Sequence, residues 1–294
     1  MGLQLPKRVG RIATWAMVSA GLLMLGACSS EDRAQIGRLA MPEPATDRAP
    51  ATYELWQWAW LAAGITGVLV WGLIGYASFR YRRRSDDEVP VQTRYNLPIE
   101  ILYTVAPVVM VLVLFFFTVQ TQNEVLAKVS NPDHEISVVG QQWSWTFNYL
   151  GEDAVGGDDV YTIGTTAENP TLVLPVDESV RINLSSPDVI HSFWVPAFLF
   201  KLDAVPGRNN SFSFTPTREG TFVGKCAELC GVYHSRMLFN LEVVSAEEYA
   251  AHLQDLQDSG NVGRPVGGVD AQNKDDRLGE VQDDDTTTED GGAE

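Results

Sequence analysis

The chain has 294 residues and a formal net charge of −17 at neutral pH. This acidity argues against nucleic acid as a partner, because a phosphate backbone is bound by Lys and Arg, and it favours a basic protein instead. Hydrophobic residues concentrate in the first ~120 positions and acidic residues in the last ~45, which indicates more than one structural region.

The N-terminus is typical of a secretory signal peptide. Basic residues between positions 7 and 11 precede a short apolar run that ends in small residues before Cys28. We therefore predict that residues 1–27 are cleaved. The run LGAC resembles a bacterial lipobox, which implies that Cys28 becomes the lipid-modified first residue of the mature protein. An ordinary signal peptide with an incidental cysteine is the alternative.

Two apolar segments within residues 53–120 predict a hairpin of transmembrane helices. Residues 55–79 contain no charged side chain and would extend about 37 Å as a helix, enough to cross a bilayer. Tryptophans cluster at the start of this segment and arginines within positions 80–84 follow its end, so the positive-inside rule places that end in the cytoplasm. The second segment, residues 99–120, must then return to the outer side. Two buried helices of a soluble protein are the alternative.

Residues 133–257 predict an exported all-β domain. Short segments rich in β-branched and aromatic residues are separated by Gly, Pro, Asn and Asp, which is typical of a β-sandwich or a Greek-key barrel. A closing helix is expected after Ser245, with Glu248 in the capping-box position. Residues 258–294 are rich in Gly and Asp and predict a disordered acidic tail.

The segment KCAELCGVYHSRM concentrates side chains that bind metals, namely Cys226, Cys230, His234 and Met237. In an oxidising compartment the two cysteines could instead form a disulfide, although that would leave the histidine and the methionine unexplained. Two thiolates and two imidazoles could hold zinc. The thioether of Met237 is a poor ligand for zinc and a soft ligand that suits copper. Disulfide, zinc and copper therefore all stay open on these residues alone.

A metal site of this kind needs a second imidazole, and the chain has four histidines. His134 lies beside an aspartate in a polar segment, and His252 lies in the closing helix, so we expect both to be exposed to solvent. His191 lies among apolar residues upstream of the cysteines and is the candidate ligand.

In these residues and their spacing, the sequence resembles subunit II of the haem–copper cytochrome c oxidases. The pattern C-x-E-x-C-x3-H-x2-M with an upstream D-V-x-H-S is the dinuclear copper (CuA) signature of that family, and the resemblance covers residues 53–244. It implies a cupredoxin-like Greek-key barrel after the two-helix transmembrane hairpin. Cys226 and Cys230 would bridge two copper ions. The other implied ligands are the imidazoles of His191 and His234, the thioether of Met237 and the backbone carbonyl of Glu228.

The resemblance also implies roles for other residues. The carboxylate of Glu228 would help to hold a magnesium or manganese ion at the interface with subunit I. Trp143, in the segment GQQWSWTFNY, would be the ring at which electrons arrive from cytochrome c. Gln141 stands where many relatives have histidine. Four acidic residues beyond this segment could attract a basic cytochrome or simply be solvated; they are Glu152, Asp153, Asp158 and Asp159.

Glu100 opens the second membrane segment, where the helix dipole alone would favour an acid. The resemblance places it at the cytoplasmic mouth of a proton-uptake path into subunit I. Neither membrane segment contains a histidine, so the haems and the oxygen-reducing site must belong to another subunit.

The implied function is electron transfer from cytochrome c to a haem of subunit I. The implied complex also contains subunit III, reduces O2 to water and pumps protons. The implied location is the bacterial cell membrane, as a multi-pass protein with the C-terminal domain on the extracytoplasmic side.

Three other functions would use similar features. A copper-delivery lipoprotein would have the same soft ligands in an open, exchangeable site. A quinol-oxidase subunit II would share the fold without copper, and the paired cysteines and histidines argue against it. Nitrous-oxide reductase shares the copper signature but needs a large further domain, which a chain of 294 residues excludes.

Overall fold

The computed structural model describes residues 29–266 of the chain. The predicted signal peptide with Cys28, and the acidic tail from residue 267 onward, lie outside the described residues. The chain forms two compact units. We call them the helical unit, which contains the two long helices, and the β-domain, which contains residues 45–48 and 123–266 of the described chain.

The helical unit contains α1 (Ser30–Gly37), α2 (Ala49–Arg80) and the greater part of α3 (Leu97–Val125). The two longer helices are long and apolar enough to cross a membrane, and they contain the predicted segments 55–79 and 99–120. Their apolar side chains are largely exposed in the described part of the chain. This fits helices that face lipid and does not fit buried helices of a soluble protein.

Ten strands and one α-helix follow in the described part of the chain, and they build the β-domain. In chain order they are β1 (His134–Gln141), β2 (Ser144–Leu150), β3 (Val160–Ile163), β4 (Thr171–Pro175), β5 (Val180–Ser185), β6 (His191–Val195), β7 (Phe200–Ala204), β8 (Asn210–Phe214), β9 (Gly220–Cys226), β10 (Leu238–Val244) and α4 (Ala246–Asp258).

The strands form a sandwich of two five-stranded sheets, with the orders β3-β2-β1-β5-β8 and β4-β10-β9-β6-β7. β1 runs parallel to β5 and β10 runs parallel to β4, whereas the other neighbouring strands are antiparallel. The predicted fold class, two apolar helices followed by an all-β domain, is confirmed.

Large aromatic side chains fill the space between the sheets. Trp145, Phe193 and Phe239 are almost fully buried. The rings of Phe193 and Phe239 stack with their centroids 4.9 Å apart, and the ring of Trp145 meets Phe239 edge-on at 5.6 Å. The same core cluster includes Cys226 and Cys230, so both cysteines are part of the packed interior of the domain.

Gly224 in β9 allows the ring of Phe239 to lie directly on the backbone. A methyl group at this position would come within 2.0–2.4 Å of three ring atoms. We therefore expect Gly224→Ala to lower the free energy of unfolding by about 2 kcal/mol, because the ring cannot move without disturbing the core. Chemical unfolding of the purified protein, followed by near-UV circular dichroism, measures this. Val223→Ala changes the neighbouring side chain, which is 60% exposed, and should cost no more than about 0.5 kcal/mol. Equal losses from the two variants would contradict the expectation.

Residues 45–48 belong to the β-domain although they precede the first membrane helix. The Ala45 N–H donates to the carbonyl of Ala197 at 3.0 Å, and the Asp47 N–H donates to the carbonyl of Thr215 at 3.0 Å. Ala45 is fully buried. The predicted range 133–257 does not include this segment, because the pairing joins residues 168 positions apart in sequence.

The capping box predicted for the closing helix is confirmed. The side chain of Ser245 accepts from the Glu248 N–H, and the Glu248 carboxylate accepts from the Ser245 N–H. The chain after α4 then continues along β3. The Tyr161 N–H donates to the carbonyl of Asn261 at 3.1 Å, and the Gly263 N–H donates to the carbonyl of Asp159 at 2.8 Å. The predicted tail begins at residue 258, whereas Asp258 is the last residue of α4 and residues 259–263 make ordered backbone hydrogen bonds.

His134 is not exposed to solvent, contrary to the prediction. Its Nδ1 lies 2.9 Å from a carboxylate oxygen of Glu152, and its Nε2 lies 2.5 Å from a carboxylate oxygen of Glu178. The Tyr249 hydroxyl donates to Glu152 at 3.0 Å. Burial alone would lower the pKa of His134, but hydrogen bonds and charge from the two carboxylates outweigh it and raise that pKa. We call these four residues the His134 cluster.

His252 is also less exposed than predicted. It is half-buried, and its ring meets the ring of Tyr149 edge-on at 5.9 Å. Burial lowers the pKa of His252, so the neutral form is favoured at neutral pH. Both corrections concern side chains that meet their partners only after the strands and α4 have packed.

Candidate metal centre

The predicted ligands come from two places in the second sheet. His191 is the first residue of β6, and Cys226 is the last residue of β9. The pairing of Phe193 with Cys226 brings the start of β6 beside the end of β9. The remaining ligands lie in the loop between β9 and β10, which we call the metal loop (residues 226–237). The Cys226 N–H donates to the carbonyl of Met237 at 3.0 Å and closes the loop at its base.

The two thiols and the two imidazoles converge. The Sγ atoms of Cys226 and Cys230 are 3.9 Å apart. The Nδ1 of His191 lies 3.9 Å from the Sγ of Cys226. The Nδ1 of His234 lies 3.6 Å from the Sγ of Cys230. Each sulfur therefore has an imidazole of its own.

Two weaker donors complete the arrangement. The thioether sulfur of Met237 lies 3.7 Å from the Sγ of Cys230, and the backbone carbonyl oxygen of Glu228 lies 3.2 Å from the Sγ of Cys226. The carboxylate side of Glu228 is exposed, so its backbone and its side chain face different surroundings.

The thiols are free and shielded. Their separation is far longer than the ~2.05 Å of a disulfide bond, which removes the disulfide alternative for this structure. Cys226 and Cys230 are only 5% and 4% exposed, while His191 and Met237 are fully buried. His234 is half-buried. A metal ion held here would be separated from bulk water on most sides.

Asp188 fixes the orientation of the His191 ring. Its carboxylate lies 2.9 Å from the Nε2 of His191 and also accepts from the backbone N–H of Gln142 at 2.7 Å. Burial would raise the pKa of Asp188, but these hydrogen bonds outweigh it and keep that pKa low. With Nε2 donating to a carboxylate, Nδ1 faces the sulfur with its lone pair, as a metal-binding imidazole requires.

The two thiols differ in acidity. Burial opposes ionisation of Cys226, but hydrogen bonding with His191 and with backbone groups outweighs it and lowers the pKa of Cys226 to about 7. Burial and the charge on Cys226 raise the pKa of Cys230 to about 12. Without a cation only one of the two thiols ionises readily, so two thiolates together require a positive charge between them.

The donor set fits copper better than zinc. Structural zinc is held by four thiolates or imidazoles and has no use for a thioether. Sulfur-rich sets with imidazole and thioether are those that copper prefers. Donor atoms of His191, Cys226 and Cys230 all lie within 4.8 Å of one another, so the residues present fit a copper-binding site.

The turn between β1 and β2 meets the metal loop. Trp143 is half-buried, and its indole N–H donates to the carbonyl of Cys230 at 3.3 Å. The side-chain amide of Gln142 donates to the same carbonyl at 2.7 Å. Gln141 is buried and bonds to Thr146 instead. Trp143 thus lies against the backbone of one of the predicted ligands.

The four acidic residues predicted as a possible docking patch do not form one exposed group. Glu152 is buried in the His134 cluster, and Asp159 is half-buried and ion-paired with an arginine, whereas Asp153 and Asp158 are exposed. Trp143 directly precedes β2, and Glu152 lies two residues after the end of that strand. Because a strand rises ~3.3 Å per residue, these acids begin about 23 Å from Trp143.

Glu100 lies in the helical unit, in the first turn of α3. Its carboxylate accepts from the backbone N–H of Asn96 at 2.8 Å, so it caps the helix. This contact accounts for an acid at the position, and the proton-uptake role stays a prediction.

Gln142 and Asp188 are the residues of this site that the sequence did not single out. Asp188 stands three positions before His191 within the D-V-x-H-S pattern, and that spacing was a usable signal. No sequence signal pointed to Gln142, because its hydrogen bond to Cys230 joins residues that are 88 positions apart.

Comparison with known proteins agrees with the geometry of the site. A family model described as cytochrome C oxidase subunit II, periplasmic domain, matches residues 134–244. A probable cytochrome c oxidase subunit 2 from Streptomyces coelicolor is 47% identical, over 90% of this chain and 93% of the relative. The chain belongs to the cytochrome c oxidase subunit II family.

The subunit II family membership confirms the resemblance stated from the copper signature, and it makes the chain part of a haem–copper oxidase. The cytochrome c oxidase subunit 2 of Corynebacterium glutamicum is 38% identical over 74% of this chain and 75% of that relative. Among solved structures, the periplasmic domain of subunit II of cytochrome oxidase from Bradyrhizobium japonicum is 32% identical. The match covers 45% of this chain and 99% of that one, with a TM-score of 0.39.

Proposed function

We propose that this subunit II accepts electrons from cytochrome c at a dinuclear copper centre and passes them to a haem in subunit I. There O2 is reduced to water and protons are pumped. The observation that carries the proposal is the division of the donors into two sets around two free, buried sulfur atoms. The sets are His191 and the Glu228 carbonyl beside Cys226, and His234 and Met237 beside Cys230.

This division supports two metal positions rather than one. Each position would take one imidazole and one weak donor, and both would share the sulfurs of Cys226 and Cys230. A mononuclear site would use only one of the two sets. Bound copper supplies one-electron chemistry, because it alternates between two oxidation states.

The protein contributes fixed donors. Burial keeps water away from the thiols, the Cys226–Met237 backbone bond closes the metal loop, and Asp188 orients His191. Donors that are held in place move little when an electron arrives or leaves, and small rearrangement is what fast transfer needs.

Electrons would arrive at Trp143. Its indole N–H bonds to the carbonyl of Cys230, so a short path of one hydrogen bond and a few covalent bonds joins the ring to a bridging sulfur. The exposed carboxylate of Glu228 is free to hold a magnesium or manganese ion shared with subunit I, while its carbonyl faces the copper site.

The remaining roles follow the family. Glu100 would open a proton-uptake path into subunit I, and subunits I and III would be the membrane partners. The chain would cross the bacterial cell membrane with α2 and α3, keep its β-domain on the extracytoplasmic side, lose residues 1–27 and carry a lipid on Cys28.

The closed site argues against the alternative of copper delivery. A delivery protein needs a metal that can be reached and exchanged, whereas His191 and Met237 are fully buried. A copper-free quinol-oxidase subunit would have no use for two free thiols that converge with two imidazoles.

The metal content of the purified oxidase tests the proposal. We expect two copper ions in the β-domain and an oxidised form with seven hyperfine lines in its EPR spectrum. Seven lines result when one unpaired electron is shared equally by two nuclei of spin 3/2, whereas a single copper nucleus gives four. A four-line signal, or zinc in place of copper, would contradict the proposal.

A further inference from the structure

The carbonyl of Cys230 receives two hydrogen bonds from neighbouring residues of one turn. Gln142 donates its side-chain amide at 2.7 Å, and Trp143 donates its indole N–H at 3.3 Å. The shorter bond comes from a residue that no proposed step has used so far. Gln142 is itself exposed, so its side chain is not required by the core.

Gln142 is held from both ends. Its backbone N–H donates to Asp188 at 2.7 Å, and Asp188 also bonds to His191. Its side chain reaches the metal loop at Cys230. The residue therefore ties the turn that carries Trp143 to both donor sets of the metal centre.

Gly231 leaves the space that this arrangement occupies. A methyl group there would lie 3.1 Å from two atoms of the Trp143 indole and 3.2 Å from the amide nitrogen of Gln142. Gly231 also has a φ of +127°, which side chains rarely adopt. Any larger residue would push the indole and the amide away from the Cys230 carbonyl.

We infer that Gln142 is a positioning residue for electron transfer. It fixes the Cys230 carbonyl and the turn between β1 and β2, so that the Trp143 indole keeps its hydrogen bond to that carbonyl. Gly231 leaves the space in which the indole and the amide lie. The inference rests on the proposed function. One electron leaves the ferrous haem of the bound cytochrome, which becomes ferric, and one electron is gained by the copper centre. No bond is formed or broken, and no proton moves at Gln142.

Gln142→Met in the intact oxidase complex tests this inference. Methionine has a similar length and no charge, but it cannot donate to the carbonyl. We expect the copper content, the EPR spectrum and the KM for cytochrome c to stay unchanged. The rate of electron transfer from bound cytochrome, measured at saturation, should fall about fivefold, because losing one typical hydrogen bond lowers the relative population of the conformer in which the Trp143 indole is bonded to Cys230 by about that factor. Gly231→Ala should lower the same rate.

Gln141→Met is the matched control, because it makes the same change one residue away and leaves both bonds to Cys230 in place. It should transfer electrons at the wild-type rate. A normal saturating rate in Gln142→Met would overturn the inference. So would a change confined to KM, which would make Gln142 a docking residue, or an altered copper signal, which would make it part of the metal site. Failure of the proposed function would appear separately, as the absence of two coppers in the wild-type protein.

Discussion

Replacing Cys226 with serine is expected to remove the copper centre and, with it, the oxidation of cytochrome c by the complex. The Sγ of Cys226 lies beside His191, Cys230 and the carbonyl of Glu228, so its loss breaks one donor set and removes a shared sulfur from the other. A serine hydroxyl is a harder and far less acidic donor than a thiol. We expect copper to fall to one ion or none per chain, and activity to fall by more than about 100-fold. Metal analysis and the rate of O2 uptake measure the two effects.

Val232→Ser is the control for this change. It places the same new side chain in the same loop, at a position that is 83% exposed and donates nothing to the site. This variant should retain both copper ions. The proposed bridging role fails if Cys226→Ser also retains them, since a second sulfur would then be unnecessary.

Replacing His134 with glutamine is expected to destabilise the β-domain most strongly at acidic to neutral pH. The ring is only 13% exposed and lies between two carboxylates, of which Glu152 is buried. Removing a partner from a buried pair costs about 3 kcal/mol, because the remaining charge loses its compensation. Thermal or chemical unfolding of the purified protein at a series of pH values measures this.

The pH dependence has a definite sign. The folded-state pKa of His134 is raised above its ordinary value of 6.5, so the protonated ring stabilises the folded state. This contribution is complete below about pH 6.5 and is lost as the pH rises through the folded-state pKa. The free energy of unfolding of the wild-type protein should therefore fall as the pH rises above 6.5. The difference in unfolding free energy between the wild-type protein and His134→Gln should become smaller over the same pH range.

His252→Gln distinguishes this effect from a general response to histidine loss. The pKa of His252 is lowered by burial, so its contribution is lost as the pH falls below 6.5 rather than as it rises. The decline of stability above pH 6.5 should persist in His252→Gln. A wild-type protein whose stability does not change over that range would contradict the assigned role of His134.

Local patterns in the sequence were sufficient to predict the helices, the β-rich domain and most residues of the metal centre. A membrane helix needs a long apolar run, and α2 and α3 contain the two runs that were predicted. The capping box joins Ser245 and Glu248, which are only three positions apart, so it was equally visible. Five of the six predicted ligands lie within the metal loop, which its own backbone bond closes.

Contacts between residues that lie far apart in the sequence could not be predicted from local patterns. His134 meets Glu152 and Glu178, which lie 18 and 44 residues away in sequence, so its burial was invisible before the strands packed. The same holds for Glu152, which looks like a surface acid in its own segment. His191 was proposed from its apolar surroundings and from the loop's need for a second imidazole, because the pairing of β6 with β9 is not encoded by any local spacing.

Residues 45–48 have a consequence for how the protein is made. They leave the ribosome before α2 and α3, yet their hydrogen bonds go to Ala197 and Thr215, which are synthesised much later. The domain can be completed only if both stretches reach the same aqueous compartment. A polypeptide inserted in the opposite orientation would carry both stretches to the wrong side of the membrane. If only the segment before α2 stayed in the cytoplasm, Ala197 and Thr215 would lack these hydrogen-bond partners. Correct translocation of the segment before α2 is thus a condition for completing the β-domain.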